Sequence, residues 1–474
     1  MGCTLALIPI RVSSGWTNTI MEAQPVYGAH RVAKGSPLYA APWQTNGFAL
    51  TYGALTYEVP GRLAKLTGRT QSVSAEFVLR AGRLQSLAAF LVLLVVIATV
   101  AKQYADSVKI AAVAVLPAFW FPFISEWYSD FVPDAPALAC SAAGWLLALL
   151  ARRRIIWLGF AAGILWCGAF FYKPTALLGL VGYAVAEFPR RGESVQQWRR
   201  FISPFAVCGL AVLIMGAVVE VGTGGLWLNH MIGSQALCDV RVGNVLEALQ
   251  QAGMAGKIML VCMAAVAVAN IDFPLFRAFV VLALLETAMM MKQGSNVHYL
   301  LGSVLLWGVA VAASLSRWYQ VQSGVYYRQA VVIAGLTGIC ICLVCQWRAA
   351  RVVLWEGIIP TSEEIQVVDQ GIVAPGGVLA VEPYYGLTRN TSLAFVDSFH
   401  ASLMERQGYV RVADALQRGE FQYVVANRFW LEPAVYQESM VVPERARESL
   451  LRNYVIERRG MWLVLFRVRE NRRL

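Results

Sequence analysis

The chain has 474 residues, 58% of them hydrophobic and only 15% charged, with a formal charge of +11. With a mean hydropathy of +0.54, this composition excludes an ordinary soluble domain, in which roughly a quarter of residues are charged. The positive charge does not point to nucleic acid either. The Arg clusters sit between apolar runs, a pattern of membrane topology, and no RNA- or DNA-reading motif accompanies them.

The chain opens on an apolar segment, Met1–Ile10, too short to span a bilayer and without the basic n-region of a signal peptide. It reads as a surface-lying stub or as part of a truncated first span, the second being favoured. The first long polar stretch, Trp16 to Arg83, follows. Pro25 suits a first helical turn and Gly35 a C-cap, so Pro25–Lys34 is expected to be a short helix just after Glu22. Ser36-Pro37 then forces an extended turn. Thr51–Gly68 presents Tyr52, Leu55, Tyr57, Pro60, Leu63 and Leu66 on one apolar face, which predicts an interfacial helix. Arg80 and Arg83 precede the first full span.

Apolar runs of bilayer length recur from there. The expected spans are Leu84–Ala101, Ile110–Phe123, Asp134–Leu150, Ile155–Phe171, Pro174–Phe188, Phe201–Val221, Met254–Ala269, Ala278–Met291, His298–Leu315 and Gln329–Gln346. Arg152-Arg153-Arg154, then Arg190, Arg191, Arg199 and Arg200, then Arg317 and Arg328 alternate onto one side, which the positive-inside rule makes cytoplasmic. The first polar stretch, Ile124–Pro133, Val221–Gly253, Lys292–Asn296 and the C-terminal region then fall outside. The nine cysteines make no disulfide framework. Cys140, Cys167, Cys208 and Cys262 lie in apolar runs, and Cys340, Cys342 and Cys345 lie in a lipid-length segment without a nearby His. They read as small buried residues, not as a metal cluster.

From Trp347 the pattern changes. Thr361 and Glu364 have capping-box spacing, and Val378–Val381 and Phe421–Ala426 read as strands. Phe395–Gln407, Arg411–Arg418 and Pro443–Asn453 read as helices, and Tyr454–Arg458 with Met461–Arg467 as a hairpin around Gly460. The expected architecture is a polytopic α-helical membrane protein of about ten to eleven spans with a small C-terminal α/β extracytoplasmic domain. Residues 1–83 form the stub and first outer loop, 84–346 the transmembrane domain, and 347–474 the α/β domain.

Ionisable residues crowd the outer ends of the spans: Glu22, Glu126, Asp130, Asp134, Lys173, His230, Asp239, Lys292 and His298. Glu286 is the only acid in mid-span, and no internal repeat is present. A transporter needs the opposite arrangement. Glycosyl transfer from a lipid phosphate needs a carboxylate as base and cations for the phosphate. Each candidate also has a structural reading. Glu22 is a base or the N3 acid of a capping box from Thr19. Asp134 is a catalytic acid or a helix-start acid. Lys173 contacts phosphate or snorkels. The turn Lys292 to Tyr299 is more polar than a turn requires. His230 reads as a satisfied loop histidine, and two lone histidines make no metal site.

An acid followed by Tyr27, Ala29 and Gly35-Ser36-Pro37-Leu38-Tyr39 resembles the first loop of the GT-C superfamily of integral-membrane glycosyltransferases, of the protein O-mannosyltransferase and aminoarabinose-transferase kind. Thr51–Tyr57, Arg80-Ala81-Gly82-Arg83-Leu84, Pro133-Asp134, Lys173-Pro174-Thr175 and Gly294-Ser295 through His298-Tyr299 are similar to further short motifs of that superfamily. The resemblance covers most of the chain diffusely. It implies a polyprenyl-phosphate-linked sugar donor, a lipid, glycan or protein acceptor, inverting transfer, and a site on the outer face of the plasma (inner) membrane. On that pattern Glu22 is the base and Asp134 a second catalytic acid. Lys173, Lys292, His298 and Tyr299 face the donor phosphate, and Tyr27, His30, Tyr39, Arg83 and Asp130 support them. Some relatives use a divalent metal and others do not, and no cofactor is assigned. Where many relatives carry Asp or an Asp-Glu pair, this chain has a lone Glu after Met21. The alternative is a lipid or glycan translocator or scaffold sharing the fold.

Overall fold

A computed structural model describes residues 22–39, 50–67, 73–119, 130–153, 155–189, 192–233, 236, 240–251, 253–292, 297–320, 360, 362–373, 377–389, 394–395, 412–431 and 444–469. The Met1–Ile10 stub, Thr19, Glu126, Asp239, the Gln329–Gln346 span with its three cysteines, Thr361 and nearly all of the helix expected at Phe395–Gln407 lie outside them.

The first polar stretch folds as two helices, α1 (Ala23–Ala33) and α2 (Leu55–Thr67), packed on each other. Gly35 ends α1 as expected. It adopts φ +71°, its N–H meets Val32 O at 3.0 Å, and Ser36 N–H meets Arg31 O at 2.9 Å, so a left-handed residue closes the last turn. Contact between α1 and α2 is backbone-close at Gly61, where a Cβ would sit 2.6 Å from Ala29 O.

The bundle starts with α3 (Ala75–Lys102), then α4 (Asp134–Arg153), α5 (Trp157–Tyr172), α6 (Leu178–Glu187), α7 (Val195–Gly222), α8 (Val242–Gln251), α9 (Gly253–Ala269), α10 (Pro274–Met289) and α11 (Leu301–Gln320). Among the described residues four helices are long and apolar enough to cross a membrane: Ala75–Lys102, Asp134–Arg152, Val195–Gly222 and His298–Arg317. Shorter apolar helices cover Val108–Ala118, Trp157–Tyr172, Pro174–Glu187 and Gly256–Ala269, where further spans were expected. The first span differs from expectation at its start. Ser74 Oγ accepts the Phe77 N–H and Glu76 pairs with Arg80 one turn on, so the helix begins at Ala75 and carries Arg83 inside it. Packing runs α7 to α5 to α4, and then α4, α3, α11, α10 and α6 close into a ring, since α6 also touches α4.

The C-terminal domain is α12 (Ser362–Gly371), β1 (Val378–Ala380), α13 (Pro383–Thr388), β2 (Ala394–Phe395), α14 (Val412–Arg418), β3 (Tyr423–Asn427), α15 (Glu444–Asn453), β4 (Tyr454–Arg459) and β5 (Leu463–Val468). Its strand order is β2-β1-β3-β5-β4, parallel across β2, β1 and β3 and antiparallel from β3 onward. Phe395, expected to open a helix, instead pairs with Ala380 as the edge strand. Glu364 Oε1 accepts the N–H groups of Trp462 and Leu463 and so ties α12 to the β4–β5 turn.

Strand alternation gives this sheet two apolar faces. Leu379, Val424, Val464 and Phe466 face Leu416, Ala446 and Leu450 of α14 and α15. Val378, Ala380, Tyr423, Val425, Leu463 and Leu465 belong instead to one core with Val26, Tyr27, Tyr57, Val78, Leu79 and Phe131. This core, which also takes in Val368 of α12, runs on from the domain into α1–α3, and α13 packs on α1 and α3. Substitution of Gly61 by Ala is expected to force α1 and α2 apart and to cost about 1–3 kcal/mol. Thermal unfolding of the detergent-solubilised protein reads that loss.

Candidate active site

Two buried ionic clusters sit at the same end of the bundle, joined by the segment Asp130–Asp134. The first is built on Glu22, which immediately precedes α1 and is fully buried. Its carboxylate takes Arg83 of α3 in a two-pronged grip, Nε to Oε1 at 2.8 Å and Nη2 to Oε2 at 2.7 Å. The Phe131 N–H also donates to Oε1, at 2.7 Å. Arg83 faces the charge of Asp130 as well, and the Tyr384 hydroxyl of α13. All four side chains are buried.

The other expected supporting residues, Tyr27, His30 and Tyr39, belong to the same first polar stretch as Glu22. Tyr27 OH accepts from Arg31 at 3.3 Å, and burial raises the Tyr27 pKa. Burial, helped by the charge of Lys34, lowers the pKa of His30, and the His30 Nε2–H donates to Val73 O at 2.9 Å. Tyr39 packs edge-on to Tyr57 and against His230, with burial raising its pKa. His230 Nδ1 accepts the Leu50 N–H at 3.0 Å, in keeping with a satisfied loop histidine.

The second cluster lines a cavity inside the ring of α3, α4, α6, α10 and α11. Asp134, the first residue of α4, and Lys173, in the break between α5 and the 3-10 turn Pro174–Leu177, form a buried ion pair of 2.7 Å. The second Asp134 oxygen, Oδ2, is buried and accepts no hydrogen bond from the described residues. Lys173 Nζ also lies 4.6 Å above the Tyr299 ring, and Tyr299 packs on His298 at 4.8 Å between centroids. Thr175, Ser141 and Glu286 complete the polar lining. Leu93, Ile97 and Val100 of α3, Leu138 and Trp145 of α4, and Leu305, Leu306 and Val309 of α11 form its apolar part.

The resemblance gave Glu22, Asp134, Lys292 and His298 roles in one reaction. The geometry divides them. Asp134, Lys173, His298 and Tyr299 come together on it. Glu22, Arg83, Asp130, Tyr27, His30 and Tyr39 do not line it. Lys292 is held just outside by a backbone bridge to Val240, with its charge facing His298. Glu286 was noted only as a mid-span acid. It lines the cavity and accepts the Ser303 N–H at 3.0 Å. A lone acid in an apolar span was the signal that marked it.

No protein-family model and no curated protein sequence matches the chain. Solved structures do. ArnT from Cupriavidus metallidurans bound to undecaprenyl phosphate superposes with a TM-score of 0.56 at 12% identity, over 98% of this chain and 97% of that one. Its apo form gives the same values. The arabinofuranosyltransferase AftD from Mycobacteria matches with a TM-score of 0.50 at 14% identity, over 99% of this chain and 39% of its own. The chain therefore has the GT-C fold of integral-membrane glycosyltransferases, as its sequence resemblance implied.

A buried ion pair is costly to break from one side, because the remaining charge stays desolvated. Lys173→Met is expected to cost about 3–5 kcal/mol. The double variant with Asp134→Leu should recover most of it. Unfolding midpoints of the three proteins in one detergent measure the difference.

Proposed function

We propose that this protein is a membrane glycosyltransferase that moves a sugar from a polyprenyl-phosphate carrier to a lipid, glycan or protein acceptor at the outer face of the plasma membrane. The observation that carries the reading is the make-up of one cavity. A buried cation and carboxylate stand at its polar end, and apolar helix faces continue from them. That is the chemistry of a phosphate on a long hydrocarbon chain. ArnT, with undecaprenyl phosphate bound, shares the fold over nearly the whole of both chains.

In this reading Lys173 holds the donor phosphate as its cation, with His298, Tyr299 and the nearby Lys292 around the same anion. Asp134 is the base. Its Oδ1 is engaged by Lys173, while Oδ2 is directed to no described donor and takes the proton of the acceptor hydroxyl. The acceptor oxygen then attacks the anomeric carbon. The bond from that carbon to the phosphate oxygen breaks, and polyprenyl phosphate leaves against Lys173. One displacement inverts the configuration. Among the described residues no three His, Cys, Asp or Glu side chains gather as a metal-ligand set.

Glu22 is a poorer base in this geometry, because Arg83 occupies both of its oxygens. Asp134→Asn is expected to lower transfer by about 10²- to 10⁴-fold, the usual contribution of a positioned base. Binding of undecaprenyl phosphate, read by native mass spectrometry, should persist in that variant. The assay is transfer of radiolabelled sugar from decaprenyl-phosphate hexose and pentose donors in host membranes. Full transfer by Asp134→Asn removes Asp134 from the mechanism, and donor movement without a new glycosidic bond would make the protein a translocator.

A further inference from the structure

Four contacts converge on the three residues that precede Asp134. The Phe131 N–H is held by Glu22 Oε1 at 2.7 Å. The Phe131 ring lies on bare helix at Gly82, where a Cβ would approach it to 2.2 Å. The Val132 carbonyl accepts from Ser86 Oγ at 3.3 Å. The Pro133 carbonyl accepts the Ala137 N–H at 3.0 Å and so opens α4, whose first residue is Asp134. Gly82, Arg83 and Ser86 occupy one face of α3 over a single turn. Glu22 reaches that face from the start of α1.

We propose that Glu22 is a positioning residue, which with Gly82, Arg83 and Ser86 clamps the strap Phe131–Pro133 and so delivers the Asp134 carboxylate into the cavity. The inference rests on Asp134 being the base. Each part of the clamp has a physical reason. A buried carboxylate without a counter-charge is prohibitively costly, so Glu22 needs Arg83. The planar fork of Arg83 fixes both carboxylate oxygens in orientation. One oxygen, thus oriented, meets the only backbone donor that the strap presents between Asp130 and Val132. Pro133 fixes its own φ and removes a degree of freedom between the clamp and Asp134. Little flexible chain is left between Glu22 and the reacting carboxylate.

The clamp also sits where the C-terminal domain docks. Tyr384 of α13 faces Arg83, and α13 packs on both α1 and α3. The strap is therefore held from the bundle, from α1 and, through Arg83, against the α/β domain.

The test compares Glu22→Gln, Glu22→Asp and Asp134→Asn in the donor assay described above. The amide of Glu22→Gln sets an N–H against the guanidinium and breaks the two-pronged grip. A displacement of about 1 Å at a reacting group costs on the order of 100-fold in rate. The expected result for Glu22→Gln is therefore a kcat lower by about 10- to 100-fold, with the donor KM unmoved and the acid limb of the rate–pH profile retained. Glu22→Asp should recover part of that kcat. Unchanged kcat in Glu22→Gln overturns the proposal. So does loss of the acid limb, which would make Glu22 itself the base. Should Asp134→Asn keep full transfer, the functional reading fails first, whatever Glu22 does. Ser86→Ala removes a single hydroxyl from the clamp and serves if Glu22→Gln does not fold. A severalfold fall in kcat at constant KM supports the strap, and wild-type kcat overturns it.

Discussion

Buried charge must be matched, and in an apolar bundle the matching decides where the chain goes. The Glu22–Arg83 pair has no exposure on either side chain, and the Asp134–Lys173 pair has almost none. Losing either partner would leave an ion in a low-dielectric interior, so each pair pins the two segments that supply it. The first pins the start of α1 to the N-terminal part of α3. The second pins the start of α4 to the α5–α6 break. Because Asp130–Asp134 touches both, the two pairs fix each other's distance along a very short piece of chain. The rest of that end of the molecule is built over this frame.

The C-terminal domain extends the same constraint. A free-standing α/β domain would cover both faces of its sheet with its own helices. Here α14 and α15 cover one face, and on the other α12 packs on the sheet while the core continues into α1–α3. The apolar residues alternate along β1, β3 and β5 in the register that a two-faced sheet demands. Glu364 fastens the β4–β5 turn from beneath, and Tyr384 reaches the ionic frame itself. Docking and charge matching therefore act on one surface.

Much of this was legible because it is local. Apolar runs marked α4, α5, α7, α9 and α11 to within a turn or two and the C-terminal end of α3 to one residue, and Gly35 marked the end of α1. Strand composition found β1, β3, β4 and β5. What was not legible depends on distant partners. The start of α3 is set by the Ser74 cap and the Glu76–Arg80 pair, which a hydropathy window centred on Leu84 does not weigh. Phe395 became a strand because β1 offered a parallel edge. Glu22 and Arg83 were both singled out, but a separation of 61 positions hides that they bind each other. Asp134 and Lys173 were likewise named separately, 39 residues apart. The sequence left the partition of these residues into frame and cavity undecided.

That partition follows from how a bilayer treats irregular backbone. Unpaired N–H and C=O groups at depth are tolerated only where protein or a cavity receives them. In this fold the breaks between α5 and α6, at Lys173-Pro174, and before α11, at Val297–Leu300, both open on the ring that α3, α4, α6, α10 and α11 enclose. Lys173, Thr175, His298 and Tyr299 of the cavity come from those breaks, and Asp134 from the first turn of α4. Pro174 cannot continue a helix, so its missing N–H and the 3-10 turn after it turn the chain inward and carry Lys173 with them. The interruptions that divide one span from the next are thus also the means by which charge enters an apolar ring. A cation and a carboxylate reach the interior there. Long apolar walls and a charged end in one space require such breaks, and this chain places them at the ends of the helices that form the ring.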